Sequence, residues 1–392
     1  MRIADLPFLD YDDPAYRADP FVWLADKAKT SKVARSERGI EILDYQLCRA
    51  FLLDQVLGTD HGNLVERMGL PESRALDFKR RMLLTQNRGQ IRQRLRRALS
   101  GLIGPKYAKA MRADIATVVS NLLDGLPTGE VDLKRDFAEL VPAGVYCSWV
   151  KAPLSDARFV ADMSETVLSI FRRDPSLTPT IVAAYDELFD YACARLDERR
   201  RDMGGDFLSA LIRIEQEGAL SVDELEDFAV MLIEASTDNT SHQIAIAVDR
   251  LATMPEVWSA IAADPNLATP AVREVMRLWP RSISTSRTAL ENTEIDGVEI
   301  PKGTSLFASF GACHRQADMF DDPHRFRLDR RPSPPHMNFG GGAFSCLGQY
   351  VAVIEVEEAI AQLAKRHPDL RVARAKRDFT AMFQSISALI GI

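Results

Sequence analysis

Ten consecutive residues near the C-terminus, Phe339-Gly-Gly-Gly-Ala-Phe-Ser-Cys-Leu-Gly348, constrain this chain more than any other feature. Cys346 sits in a glycine-rich loop, seven positions after Phe339 and two before Gly348, and an amphipathic run from Gln349 to Lys365 follows at once. Glycines reach backbone conformations closed to other residues and let the chain approach a flat ligand closely. Backbone N–H groups of such a loop, and of the helix start behind it, favour an anionic sulfur. The layout is that of a thiolate offered to a metal at the start of a helix. An isolated cysteine beside a glycine turn is as often a buried free thiol. It is the complete ten-residue pattern that favours the ligand.

Length and charge narrow the class. A chain of 392 residues would allow two or three domains by size, but no Ser/Gly linker, charge block or internal repeat divides it. The expectation is one mainly helical domain over residues 1–392. With 49 Lys+Arg against 56 Asp+Glu the net charge is -7, which speaks against a nucleic-acid partner. No apolar run reaches the roughly 18 residues of a membrane span. The start, Met1-Arg-Ile-Ala-Asp-Leu-Pro, lacks the apolar centre of a signal peptide. Cys48, Cys147, Cys193, Cys313 and Cys346 are scattered with no CxxC pair, which predicts reduced thiols and a cytoplasmic protein.

Periodicity gives a coarse map. Gly39 to Asp44 reads as a strand, and 91–111 carries helical spacing at Ile91, Leu95, Ala98, Leu99 and Leu102. Breaks are expected at Pro142, Pro153 and Asp174-Pro175-Ser176. From 285 to 310 the pattern alternates like strands, with Gly297 and Gly303 as turn signals. Ser221-Val-Asp-Glu224 is a capping box that opens a helix running to about Met254. Its middle, Glu234-Ala-Ser-Thr-Asp-Asn-Thr-Ser241, interrupts an apolar stripe with polar groups, which are costly to bury unless satisfied. Such a break predicts a place where water, protons or dioxygen meet the helix.

The cysteine stretch resembles the haem-binding signature of the cytochrome P450 superfamily, Phe-Gly-x-Gly-x-His/Arg-x-Cys-x-Gly. Phe339, Gly340, Gly342, Cys346 and Gly348 match, and Phe344 stands where the family usually has a propionate-binding cation. Glu274-Val-Met-Arg277 matches the family's Glu-x-x-Arg, and Arg330 matches the arginine that joins this pair. The resemblance gives these three a structural role. Arg287 matches a propionate-binding arginine. Arg92 and Arg96, in a helix crowded with Arg88, Arg94 and Arg97, match the family's His-x-x-x-Arg with arginine in the histidine's place. Ala235, Asp238 and Thr240 match the oxygen-binding motif Ala/Gly-Gly-x-Asp/Glu-Thr-Thr, while Ser236 replaces the glycine and Asn239 the first threonine. In the family that hydroxyl helps deliver a proton, a task an amide performs poorly.

The resemblance implies a triangular, mainly α fold with small β-sheets, one haem b, and dioxygen activation. Cys346 would bind the iron. Asp238, Asn239 and Thr240 would be catalytic, with Asn239 holding water or relying on a substrate hydroxyl. Arg92, Arg96, Arg287, Phe339, Gly340, Gly342, Phe344, Gly348 and Ala235 would contact the cofactor. Electrons would come from NAD(P)H through a ferredoxin reductase and a ferredoxin. The substrate is expected to be a mostly hydrophobic small molecule, hydroxylated or O-dealkylated, near Leu83, Leu84, Leu232, Ile283, Ser284 and Phe383. The alternatives are a relative that uses peroxide or performs desaturation, coupling or rearrangement, and a haem-binding sensor or scaffold.

Overall fold

A computed structural model describes residues 1–59, 69–81, 89–172 and 174–392. Leu83, Leu84 and Arg88 lie outside the described residues. The chain is mostly helical with small sheets, as expected. In chain order the strands are β1 (Val33–Ser36), β2 (Gly39–Ile42), β3 (Leu57–Gly58), β4 (Glu130–Asp132), β5 (Ser284–Ala289), β6 (Thr293–Ile295), β7 (Val298–Ile300), β8 (Ser305–Ser309), β9 (Arg371–Phe379) and β10 (Gln384–Gly391).

The chain folds as two compact units. The first comprises Met1–Thr59, Ala245–Cys346 and Leu363–Ile392. Its five-stranded sheet runs β1-β2-β8-β5-β3. β2 and β8 pair in parallel, placing Ile40 opposite Leu306 and Ile42 opposite Ala308, and β5 pairs antiparallel with β8. These alternating apolar residues enter one core with Tyr45, Phe51, Leu52, Phe320 and Met337. The helix Tyr45–Leu53 packs on it through Tyr45, Cys48, Phe51 and Leu52. Asp44 caps that helix, its carboxylate accepting from the Leu47 N–H at 2.9 Å. β9 and β10 form an antiparallel pair whose turn is tied back to residues 281–284.

The second unit, Asp60–Ile244 with Leu347–Gln362, is helical in most of its described residues. The expected helix over 91–111 is two helices, Gly89–Ile103 and Pro105–Asp124. Gly104 ends one and precedes the other, and Pro105 occupies a first-turn position where its missing N–H costs nothing. For the same reason Pro142 lies inside the first turn of Leu140–Val150 instead of breaking a helix.

The long helix is Val222–Ala252, 31 residues without Gly or Pro. The capping box is formed: Ser221 N–H donates to Glu224 at 2.9 Å, and Glu224 N–H to the Ser221 hydroxyl at 3.1 Å. Pro255 opens the next helix, Pro255–Ala263. Residues 244–249 are buried on every side, so the polar break at 234–241 lies next to wholly buried helix.

Candidate functional site

The cysteine loop is held by its own backbone. Cys346 N–H donates to the Phe339 carbonyl at 2.8 Å, and Gly340 N–H to the Met337 carbonyl at 2.9 Å. Between them Gly342–Phe344 make a 3₁₀ turn. Gly340 and Gly342 have φ of 69° and 59°, the left-handed region that glycine enters without strain. A Cβ on Gly342 would also stand 3.0 Å from the Leu52 carbonyl oxygen. The loop therefore lies against the end of helix Tyr45–Leu53 through bare backbone. Cys346 emerges exposed, and helix Gln349–Arg366 starts three residues later.

An ion cluster supports the segment leading to that loop. Glu274 and Arg277, on helix Ala268–Leu278, form a buried two-pronged pair at 2.9 and 2.7 Å. Arg330 adds its Nε to the same carboxylate at 2.7 Å. The remaining arginine N–H groups go to backbone carbonyls: Arg277 to His314 and Pro323, Arg330 to Asp321, Asp322 and Arg325. The three residues expected as a structural trio are brought together on one carboxylate. Two supports had no signal in the sequence. His314 Nε2 accepts the Met337 N–H at 2.9 Å, and burial, reinforced by His336, Arg277 and Arg315, holds its pKa well below the ordinary histidine range. A neutral ring is what an accepting Nε2 requires. Asn338 donates to the Met276 carbonyl at 2.7 Å.

Arg287 lies on β5 and is 8% exposed. Its guanidinium sits 4.7 Å from the Phe344 ring centre, and one N–H donates to the Ser286 carbonyl at 2.7 Å. Burial alone pulls it down to about 10, and no carboxylate pairs with it among the described residues. Phe344, where the family usually carries a cation, thus forms a stacking surface for one. In the second unit Arg92 is buried on the same face as Leu95 and Leu99, and Arg96 is half-buried.

Most polar groups of the break in the long helix find partners, while the buried Ser236 hydroxyl has none among the described residues. Thr237 donates to the Ile233 carbonyl at 2.8 Å, and Ser241 to the Asp238 carbonyl at 2.8 Å. Thr240 hydrogen-bonds Glu355, a fully buried carboxyl that desolvation pushes up to about 8 against the opposing effect of that bond. His242 Nε2 is 3.4 Å from Asp238 Oδ1. Glu234 pairs with buried Lys79 and accepts from the Tyr185 hydroxyl at 3.1 Å. Ala235 and Asn239, one turn apart, are exposed, while Leu232 and Thr240 are buried. Glu355 and Lys79 escaped sequence reasoning, because a lone charge in a helix reads as a solvated face.

The candidate substrate residues separate. Ile283 has no exposed surface and packs among Leu9, Tyr16, Phe21 and Leu24, so it is core and not a lining residue. Ser284 spends its hydroxyl on the Ala381 carbonyl at 3.0 Å, pinning the β9–β10 turn. Phe383, in that turn, is 38% exposed, with the Arg281 guanidinium 4.9 Å from its ring.

Residues 160–367 match the family model described as Cytochrome P450. Luteothin monooxygenase of Streptomyces thioluteus is 33% identical over 367 residues, 93% of this chain and 90% of that protein. The chain belongs to the cytochrome P450 family. 6-Deoxyerythronolide B hydroxylase of Saccharopolyspora erythraea is 31% identical over 71% of the chain and 68% of its own length. Among solved P450 structures, CalO2 superposes with a TM-score of 0.89 at 24% identity, covering 99% of both chains. Epothilone D-bound P450epoK gives 0.87 at 25%, covering 97% of this chain and 98% of that one.

P450s bind haem b through a cysteine thiolate, and this chain is a P450-type monooxygenase. Its residues fit that cofactor. Arg287 is a buried cation lacking a carboxylate, as a propionate partner should be, and the Gly340–Gly342 turn supplies close-approaching backbone next to an exposed thiol. No helix among the described residues is long and apolar enough to cross a membrane.

Proposed function

We propose that this P450 inserts one oxygen atom of dioxygen into a mostly hydrophobic small molecule of bacterial specialised metabolism, by hydroxylation or O-dealkylation. Electrons come from NAD(P)H through a ferredoxin reductase and a ferredoxin, in the cytoplasm. The whole of residues 1–392 serves as one oxygenase. The observation that carries the reading is the polar break of the long helix, where Asp238 and exposed Asn239 stand immediately before the continuously buried stretch 240–249. The names of the relatives, a luteothin monooxygenase and a 6-deoxyerythronolide B hydroxylase, support a substrate of that class.

The roles follow from chemistry. Bound haem supplies dioxygen activation, favoured by electron density from a thiolate. Cys346 is that ligand. Arg287, Arg92 and Arg96 hold the propionates by charge-assisted hydrogen bonds. Phe339, Gly340, Gly342, Phe344, Gly348 and Ala235 give the cofactor its flat, close contacts. Asp238 delivers protons, Asn239 holds the water that carries them, and Glu355 keeps a proton at neutral pH beside the Thr240 hydroxyl. Phe383 and Leu232 contact the substrate.

The ferric protein should be reduced under carbon monoxide and then given surrogate ferredoxin, reductase and NADPH. The thiolate's strongly red-shifted band should appear and vanish in Cys346→Ser. NADPH consumption should rise with compounds that convert the haem to high spin. Asn239 favours one second reading, a peroxide-driven enzyme, since peroxide brings its own protons and needs only one of them moved from one oxygen to the other, a transfer Asp238 can serve without an alcohol at position 239. Product formed with peroxide and none with ferredoxin would establish that reading instead.

A further inference from the structure

We propose that His242 is a positioning residue for Asp238, holding the acid's carboxylate on the turn of the long helix that also presents Asn239. The proposal rests on the monooxygenase reading above. The two residues are four apart on one helix, the spacing that brings side chains together on a face. His242 Nε2 lies 3.4 Å from Asp238 Oδ1. The imidazole is 8% exposed and the carboxylate 31%. The ring is therefore the packed, fixed partner, and the carboxylate is the group that needs aiming.

The neighbours are engaged elsewhere. The Ser241 hydroxyl donates to the backbone carbonyl of Asp238, not to its side chain. Glu234, one turn before Asp238 on the same ridge, is held by Lys79 and Tyr185. Asn239 can donate a hydrogen bond but cannot readily relay a proton. The burden of delivery then falls on Asp238, and the rate depends on where its carboxylate points. A neutral imidazole with its hydrogen on Nε2 suffices as donor, so the role needs no change in the charge of His242.

Two measurements test this. In the protein with ¹⁵N-labelled histidine, long-range ¹H–¹⁵N spectra read which ring nitrogen carries hydrogen. With six histidines in the chain, the resonance lost in His242→Asn identifies His242. The proposal requires hydrogen on Nε2; a ring protonated on Nδ1 alone overturns it. In the haem-loaded protein, hydrogen peroxide with guaiacol is the activity probe. His242→Phe should lower kcat roughly tenfold, the size of one lost hydrogen bond to a charged group, while KM for peroxide stays within about twofold. His242→Asn, which keeps a donor, should restore most of kcat, and His242→Phe should add little in an Asp238→Asn background. Unchanged kcat in His242→Phe, or His242→Asn as impaired as His242→Phe, overturns the proposal. Should His242→Phe fail to fold, the wild-type spectrum and His242→Asn decide. A wild-type protein without the thiolate band and without peroxide activity sinks the monooxygenase reading, and the ring spectrum still decides the pair.

Discussion

The base of the cysteine loop and the middle of the long helix treat buried polarity in opposite ways. At the loop base Glu274 accepts from two arginines, whose other N–H groups spread over backbone carbonyls between His314 and Arg325. All of it serves one geometry. In the helix, each polar group meets different partners: Thr237 bonds a carbonyl and Ser164, Thr240 bonds Glu355, Asp238 lies beside His242, and the buried Ser236 hydroxyl has no partner among the described residues. Asn239 stays exposed. A cooperative cluster tolerates little change, whereas contacts spread over different partners can be exchanged one at a time. That contrast matches the motifs, since the loop base keeps the family pattern and the helix departs from it.

The largest effect should follow from breaking the cluster. Arg277→Ala leaves Glu274 buried beside one arginine and strands the His314 and Pro323 carbonyls. Removing one partner of a buried pair costs about 3–5 kcal/mol, so denaturant unfolding should show a loss of that size together with poor haem retention. A loss below about 1 kcal/mol would mean the cluster is not cooperative.

Glu355 gives the next effect, through pH. Its carboxyl is raised in the folded protein to about 8 from an ordinary 4.5. The folded state therefore binds the extra proton, and stability linked to this group is full below about pH 4.5 and lost as pH rises through about 8. The loss approaches about 3–5 kcal/mol above pH 9 at one pKa unit per 1.36 kcal/mol. Glu355→Gln should flatten the fall in Tm between pH 6 and pH 9. An unchanged slope would show that Glu355 is not the group responsible.

Arg287 separates cofactor from fold. A buried guanidinium with no carboxylate costs the apoprotein stability, so Arg287→Met should raise the unfolding free energy of the apoprotein by about 1–3 kcal/mol. The same change should speed loss of haem to apomyoglobin. Slower or unchanged haem transfer would remove Arg287 from the cofactor contacts.

Much of this was legible in the residues. The capping box at Ser221 and Glu224, the strands after 284 and the Glu274–Arg277 pair all sit where local pattern places them. What escaped depended on contacts remote in sequence. Thr240 and Glu355 are far apart in the chain, and neither signals the other. His314 meets Met337 through one ring nitrogen, which no spacing rule marks. Ile283 looked like a pocket residue because an apolar side chain reads alike in a core and in a lining. The 91–111 run failed for a different reason: Pro105 starts a helix as readily as it stops one.

The smallest effect is the sharpest probe of the helix. Asn239 is exposed and accepts or donates nothing the fold needs among the contacts described, so Asn239→Thr should shift Tm by about 1 °C or less, as surface changes do. Its consequence should be kinetic. A hydroxyl beside Asp238 restores an alcohol that can pass a proton, and product formed per NADPH should rise about two- to tenfold, modest beside the 10²–10⁴ of a full general acid. Released peroxide should fall in step. If product falls instead while binding spectra are unchanged, the amide holds something an alcohol cannot, and the helix is specialised at this position rather than merely degraded. Combining Asn239→Thr with His242→Phe then shows which group the threonine acts on. A threonine that compensates for the lost histidine acts on the same carboxylate, and one that does not acts on water alone.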